Sequence, residues 1–275
     1  MADNKYCYSN SDVLINKLNI TNQKDLTDAE IELTSIRLQE LQKNPLKGKF
    51  DFAYLKEIHQ YIFQDLYEWA GKERTVEIGK GNLFCTTPCI QDYADSVFAK
   101  YYPQCYDAKD NFNDFIRVLA DNYGDLNALH PFREGNGRAQ REFARNVCLA
   151  CGYDFNLSCA THHEMLDASK LSFDKGDSSG FVKIFSKAVI KHGNNTYMGQ
   201  DLAILTSDDL SMGFTDSYEY YEYEQHFDAG LYNKLYEAKI QKMEAERVIS
   251  DAKSHLLQNK YKEQTILYDL DELER

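Results

Sequence analysis

Proline is scarce in this chain: Pro45, Pro88, Pro103 and Pro131 are the four among 275 residues. Proline removes a backbone donor and breaks helices, so its rarity leaves long stretches free to be helical. Basic charge is also short. The 31 Lys and Arg face 44 Asp and Glu, a net charge of −13, which argues against nucleic acid as a partner because phosphate backbones are held by clustered cations. No apolar run approaches the length of a membrane span. The start, Met1-Ala2-Asp3-Asn4-Lys5, has no apolar core after a basic segment, so no signal peptide is evident. These absences lead to the expectation of a cytoplasmic chain with no membrane partner, and they leave room for export without a cleavable signal. Disulfide patterning is missing too. Cys7, Cys85, Cys89, Cys105, Cys148, Cys151 and Cys159 are odd in number and irregular in spacing, which fits reduced thiols.

What is present is helical periodicity nearly everywhere. The 43% apolar content is adequate for a buried core, and the length suits one main domain with an accessory segment. Leu55, Ile58, His59, Ile62, Phe63 and Leu66 form one apolar stripe, entered through Asp51 as N-cap. Phe112, Phe115, Ile116, Leu119, Tyr123 and Leu126 form another, entered through Asn111 and delivering His130 at its end. A third helix is expected from about Gly137 to Cys151, with shorter ones over Met165 to Leu171 and Phe181 to Val189. The exception is Arg74 to Thr87. Thr75, Val76 and Ile78 favour strand, Gly79-Lys80-Gly81-Asn82 favours a turn, and Leu83-Phe84-Cys85 can return, so a small hairpin is predicted. Its exposed edges could take up an extended peptide by backbone hydrogen bonding.

One segment carries the chemistry: His130-Pro131-Phe132-Arg133-Glu134-Gly135-Asn136-Gly137-Arg138-Ala139-Gln140-Arg141. His130 can accept a proton near neutral pH. Glu134 offers the oxygen donor that Mg²⁺ prefers. Gly135 and Gly137 allow successive backbone N–H groups to form an anion-holding nest, and a helix starting there turns its positive end toward the same anion. Arg138 and Arg141, at i and i+3, share a helix face suited to gripping one polyphosphate. Phe132 can do no acid–base or phosphate chemistry and is expected to anchor the loop in the core. Arg133 is expected to be solvated.

This segment resembles the Fic family signature H-P-F-x-[D/E]-G-N-G-R-x-x-R at every fixed position. Phe63-x-Asp65-x-Tyr67-x-Trp69-Ala70-Gly71-x-x-Arg74 and Lys80-Gly81-x-x-x-x-Cys85 are also similar to the family, and the likeness spans about residues 50–190. It implies an all-α fold, a Fic-like helical core with a small β-hairpin flap. Taken with composition, it suggests an N-terminal helical segment (1–45), a catalytic core (46–192) and, beyond the likeness, an acidic, Tyr-rich helical extension (193–275). That extension holds 17 acidic and 8 basic side chains, a net −9.

The resemblance also implies an activity. Most Fic proteins move AMP from ATP to a hydroxyl side chain of a target protein. His130 would be the base, Glu134 the Mg²⁺ ligand, and Gly135, Asn136 and Gly137 the cradle of the α- and β-phosphates. Arg138 would stabilise departing pyrophosphate and Arg141 would meet the γ-phosphate. The flap residues Ile78, Gly79, Lys80, Gly81, Asn82 and Leu83 would hold the target. A γ-phosphate facing His130 would make a kinase instead, but the kinase-like branch lacks the full Gly135-Asn136-Gly137-Arg138 form. UMP and phosphocholine transferases share the signature, and a silent nucleotide-sensing module is the rival from another class. Family members are often restrained by a helix carrying [S/T]-x-x-x-E-[G/N]. Ser35-Ile36-Arg37-Leu38-Gln39-Glu40 has Gln where Glu is needed, and Thr215-Asp216-Ser217-Tyr218-Glu219-Tyr220 ends in Tyr. A small inhibitory, antitoxin-like partner and a homodimer are therefore admitted beside the target protein. Cys148-x-x-Cys151, with Cys159, His162 and His163, has a zinc-like look, but Gly152 reads as a helix terminator and Thr161-x-x-Glu164 as a capping box, and the plain reading is preferred.

Overall fold

The computed structural model of the protein describes residues 5–80 and 82–191, with no side-chain description at 80, 82 and 83. The expected extension, 193–275, lies outside the described residues, as does Thr215–Tyr220. Among the described residues no helix is long and apolar enough to cross a membrane.

Among the described residues seven α-helices carry the fold. α1 (Gln23–Lys43) opens on Asn22, whose side chain accepts the Asp25 N–H. The expected N-terminal helical segment therefore begins only at residue 23; before it, residues 5–20 form loops held by Asn16, whose amide oxygen accepts the Leu18 and Ile20 N–H groups. α2 (Phe52–Phe63) opens on Asp51, which accepts the Tyr54 N–H at 3.0 Å, and it buries the predicted stripe. α3 (Ile90–Ala108) has no counterpart among the stripes above. Its buried Ile90, Ala94, Val97, Phe98, Tyr101 and Cys105 follow helical spacing, but Pro103 within it obscures the pattern. α4 (Phe112–Leu129) is capped by Asn111 as predicted, and α5 covers Asn136–Ala150. α6 (His162–Lys175) starts with the Thr161/Glu164 capping box. α7 covers Ser179–Ala188.

Among the described residues two small antiparallel sheets accompany the helices. β1 (Gly79–Lys80) and β2 (Asn82–Leu83) pair Gly79 with Leu83, so a hairpin lies in the expected segment, but its strands occupy the stretch predicted as turn, while Thr75, Val76, Ile78, Phe84 and Cys85 lie outside them. β3 (Tyr153–Phe155) pairs with β4 (Val189–Lys191), which no pattern predicted; Val189 belongs to this strand rather than to the preceding helix. α4 packs against α3, α5, α6 and α7, while α1 packs on α2 and α2 on α5. Leu119, Leu126, Leu129, Phe132, Phe143 and Val147 are fully buried between them. The signature segment thus joins the two central helices, and its loop is bedded in the core.

Candidate active site

α4 ends by placing His130 in the left-handed region, φ 42° and ψ 60°. A non-glycine residue is uncommon there and stays only where its surroundings hold it. The imidazole Nδ1 lies 3.0 Å from the Asn127 carbonyl oxygen. A carbonyl can only accept, so Nδ1 carries the proton in the neutral ring and Nε2 carries the lone pair. The ring is buried and lies flat against Phe84, centroids 3.8 Å apart.

Asn136 closes the loop after His130. Its Oδ1 accepts the Phe132 N–H and its Nδ2 donates to the Phe132 carbonyl, both at 2.8 Å. These contacts direct the amide into the loop rather than toward a phosphate. Phe132 is fully buried, as expected, and stacks on His59 at 3.8 Å. His59 in turn lies 2.9 Å from the Glu134 carbonyl oxygen through Nε2 and accepts the Gly71 N–H through Nδ1. Gly135 has φ 80°, and a Cβ there would run into the Phe63 ring. Two separate constraints thus demand glycine at 135. α5 begins at the next residue, so the N–H groups of its first turn have no acceptor within the helix itself.

Arg74 ties this loop to the flap. Its fully buried side chain donates from Nε to the His130 carbonyl at 2.9 Å, from Nη1 to the Val76 carbonyl at 2.9 Å, and from Nη2 to the Cys85 carbonyl. Its backbone N–H donates to the Pro131 carbonyl at 2.8 Å. One guanidinium therefore sets the root of the hairpin against the residue carrying the base.

Arg138 and Glu134 are both buried. The Glu134 carboxylate accepts the Gly135 N–H at 2.9 Å and lies 3.6 Å from Arg138 Nη2. Arg138 turns inward. Its guanidinium stacks over Phe63 at 4.5 Å and bonds to Glu30 and Thr34 of α1. Burial alone would lower its pKa, but Glu30 and Glu134 outweigh that and raise it. Arg141 is half-buried one turn on, beside Gly137; a Cβ at 137 would meet its Nη1 at 2.9 Å.

Other expectations resolve as follows. Arg133 is only half-exposed, with Nη2 3.9 Å from Cys7 Sγ. Within Ser35–Glu40, Glu40 is engaged by Arg37 and Tyr61. Cys148 and Cys151 sit at the end of α5, followed by Gly152 at φ 84°, and among the described residues no three His, Cys, Asp or Glu side chains group to hold a metal. Glu30, Thr34, His59 and Phe84 were not marked as site residues by the sequence. Each lies far from the signature in the chain, and only a buried polar or charged residue on an apolar helix face could have hinted at the first three.

A helical core that presents a left-handed histidine and a glycine-initiated helix end on one loop defines a phosphate-handling transferase of the Fic type. The chain belongs to the Fic/DOC family: the family profile matches residues 49–148. It is 34% identical to the probable protein adenylyltransferase y4lH of Sinorhizobium fredii over 62% of this chain and 89% of that protein. It is 36% identical to the protein adenylyltransferase VbhT of Bartonella schoenbuchensis over 62% of this chain, and there it spans only 36% of the relative's length. Among solved structures it is similar to the N-terminal Fic domain of a cell filamentation protein from Bartonella quintana with bound ADP, at TM-score 0.63 and 27% identity, covering 70% of this chain and 98% of that one.

Proposed function

We propose that this protein transfers AMP from ATP to a hydroxyl side chain of a target protein, releasing pyrophosphate. The observation that carries the proposal is the His130 ring. Its Nδ1–H is committed to the Asn127 carbonyl, which gives Nε2 the lone pair, and it stands at the loop leading into the N-terminus of α5. The names of the relatives and the ADP bound by the Bartonella quintana domain support the nucleotide.

A protein hydroxyl has a pKa near or above 10 and is a weak nucleophile at pH 7. In the proposed step its oxygen attacks the α-phosphorus as His130 Nε2 takes its proton. The bond from that phosphorus to the β-bridging oxygen breaks, and pyrophosphate leaves. General-base help of this kind is worth about 10²–10⁴-fold. The first-turn N–H groups of α5 would receive the phosphates, and Arg141, beside Gly137, would meet the γ-phosphate. Asn136 contributes by holding the loop closed. Most of the acceleration would come from positioning and electrostatics, as in other phosphoryl transfers.

Mg²⁺ fits the donor set on one condition. Glu134 is one carboxylate, and Mg²⁺ usually takes one or two carboxylates with substrate phosphates and water completing its shell. When bound, Mg²⁺ would neutralise charge on the phosphates.

The flap, Ile78 to Leu83, would receive an extended stretch of the target along its edge. ATP and reduced cysteines suit a cytoplasmic setting. An antitoxin-like partner would fill the role of the incomplete restraint motifs.

The test is transfer of label. ATP labelled at the α-phosphorus should label protein, and His130→Ala should abolish it with ATP binding kept. Label arriving only from the γ-phosphorus would make the protein a kinase. Binding of ATP with no transfer under any condition would make it a nucleotide sensor.

A further inference from the structure

Glu30 sits on α1, outside the segment that matches the family, yet it meets the signature at its centre. It is 8% exposed, and Arg138, Thr34 and Tyr67 around it are less exposed still. One Glu30 oxygen accepts from Arg138 Nη2, and the other accepts the Tyr67 hydroxyl. Tyr67 is firmly a donor, because burial and the neighbouring Glu30 push its phenol pKa well above 10. Thr34 donates its hydroxyl hydrogen to the Glu30 backbone carbonyl at 2.7 Å, which leaves its oxygen to accept from Arg138 Nη1 at 3.2 Å. On its other side Arg138 Nη2 lies 3.6 Å from Glu134 Oε1, the same oxygen that accepts the Gly135 N–H.

We infer that Glu30 is a positioning residue for the transfer: it pins the Arg138 guanidinium to α1 and thereby sets the Glu134 carboxylate at the start of α5. The inference rests on the adenylyl-transfer reading and deepens it. Three features support it over a packing role alone. Two carboxylates and a guanidinium are costly to bury, and apolar side chains of similar volume usually pack as stably. The network ends on Glu134 within the loop that carries the candidate base. Arg138 is also shared between two carboxylates, so the strength of its hold on Glu30 governs how closely it approaches Glu134. The arrangement differs from a restraint that occupies a phosphate position, because Arg138 is enclosed by α1 and Phe63 and both Glu30 oxygens are engaged inside the fold.

Glu30→Gln keeps the shape and removes the charge. Arg138 should then pair more closely with Glu134 and compete with Mg²⁺ for it. In the full chain, kcat for AMP transfer should fall by about 10- to 100-fold, the usual cost of losing a residue that orients a metal ligand. The Mg²⁺ concentration giving half-maximal ATP binding, measured by calorimetry, should rise about 10-fold or more, the same range for metal affinity. Affinity for ATP without Mg²⁺ should stay within about twofold, since no direct phosphate contact is removed. Tyr67→Phe, which deletes one hydrogen bond to Glu30, should shift both readouts the same way by less, and it decides the question if the first variant fails to fold. A folded variant with unchanged rate and unchanged Mg²⁺ dependence would show the network to be structural only and overturn the inference. A rate above wild type would overturn it too, making Glu30 a restraint. Absence of any label transfer by the wild-type chain would instead defeat the adenylyl-transfer reading, and the Mg²⁺ dependence of ATP binding would still decide for or against Glu30.

Discussion

The rings of Phe84 and His130 lie 3.8 Å apart and within 7° of parallel, so the residue just after the flap hairpin covers one face of the candidate base. Phe84 also makes an edge contact with Phe173 of α6 at 5.5 Å. Aromatic pairs of this kind are worth about 0.5–1.5 kcal/mol beyond burial. Phe84→Ala should therefore free the imidazole to leave its bond with the Asn127 carbonyl. We expect kcat to fall about 3- to 10-fold, consistent with that energy, with ATP affinity unchanged. Steady-state label transfer and equilibrium ATP binding together check this, and a loss confined to ATP binding would contradict it.

Arg74 satisfies three carbonyls from one fully buried guanidinium. Arg74→Ala would leave those acceptors without a donor, at about 3–5 kcal/mol for such a network. For a chain of this size that corresponds to a melting temperature lower by about 6–20 °C. Arg74→Lys should fail as well, because a single ammonium cannot span the His130, Val76 and Cys85 carbonyls as the guanidinium fork does. Calorimetric melting of both variants is the measurement, and near-wild-type stability in either would remove Arg74 as the tie between flap and loop.

Gly135→Ala meets two obstacles, a positive φ and the Phe63 ring. The backbone term alone costs roughly 1 kcal/mol, and overpacking adds about 1–3 kcal/mol. We expect a total loss of about 2–4 kcal/mol in urea unfolding. Phe63→Leu in the same chain should recover only the overpacking part. Full recovery would mean that the left-handed backbone is not what requires glycine.

Acid should weaken the junction of α1 with α2. Arg37 donates to both oxygens of Asp65, at 2.7 and 3.0 Å, and this hydrogen bonding lowers the Asp65 pKa below its ordinary value. A carboxylate with a lowered folded pKa contributes stability above its unfolded value, near 3.9, and loses it as pH falls through the folded value. Both side chains are partly exposed, so solvent screening holds the contribution to about 1 kcal/mol or less. Asp65→Asn should lower the melting temperature by up to about 2–4 °C at pH 7, and the gap from wild type should shrink as pH falls below the ordinary carboxylate value, near 3.9. A gap that persists or widens in acid would contradict the assignment.

Local features were legible from residue order alone. Asp51, Asn111 and Thr161 cap helices because their acceptors lie within three residues of the N–H groups they satisfy. The stripes of α2 and α4 follow from side-chain spacing, whereas the flap's strands fall where glycine content suggested a turn. α3 escaped notice because Pro103 interrupts an otherwise regular pattern, and the β3–β4 pair joins segments more than thirty residues apart.

The contiguous run from His130 to Arg141 determined by itself that a base, a carboxylate and a helix start would meet, because a loop-to-helix turn keeps neighbours in sequence as neighbours in space. It could not determine where Arg138 points. That was decided by Glu30 and Thr34, more than a hundred residues earlier, together with Phe63. Packing alone brings such distant groups together, and a desolvated guanidinium turns to whichever buried acceptors the folded core supplies.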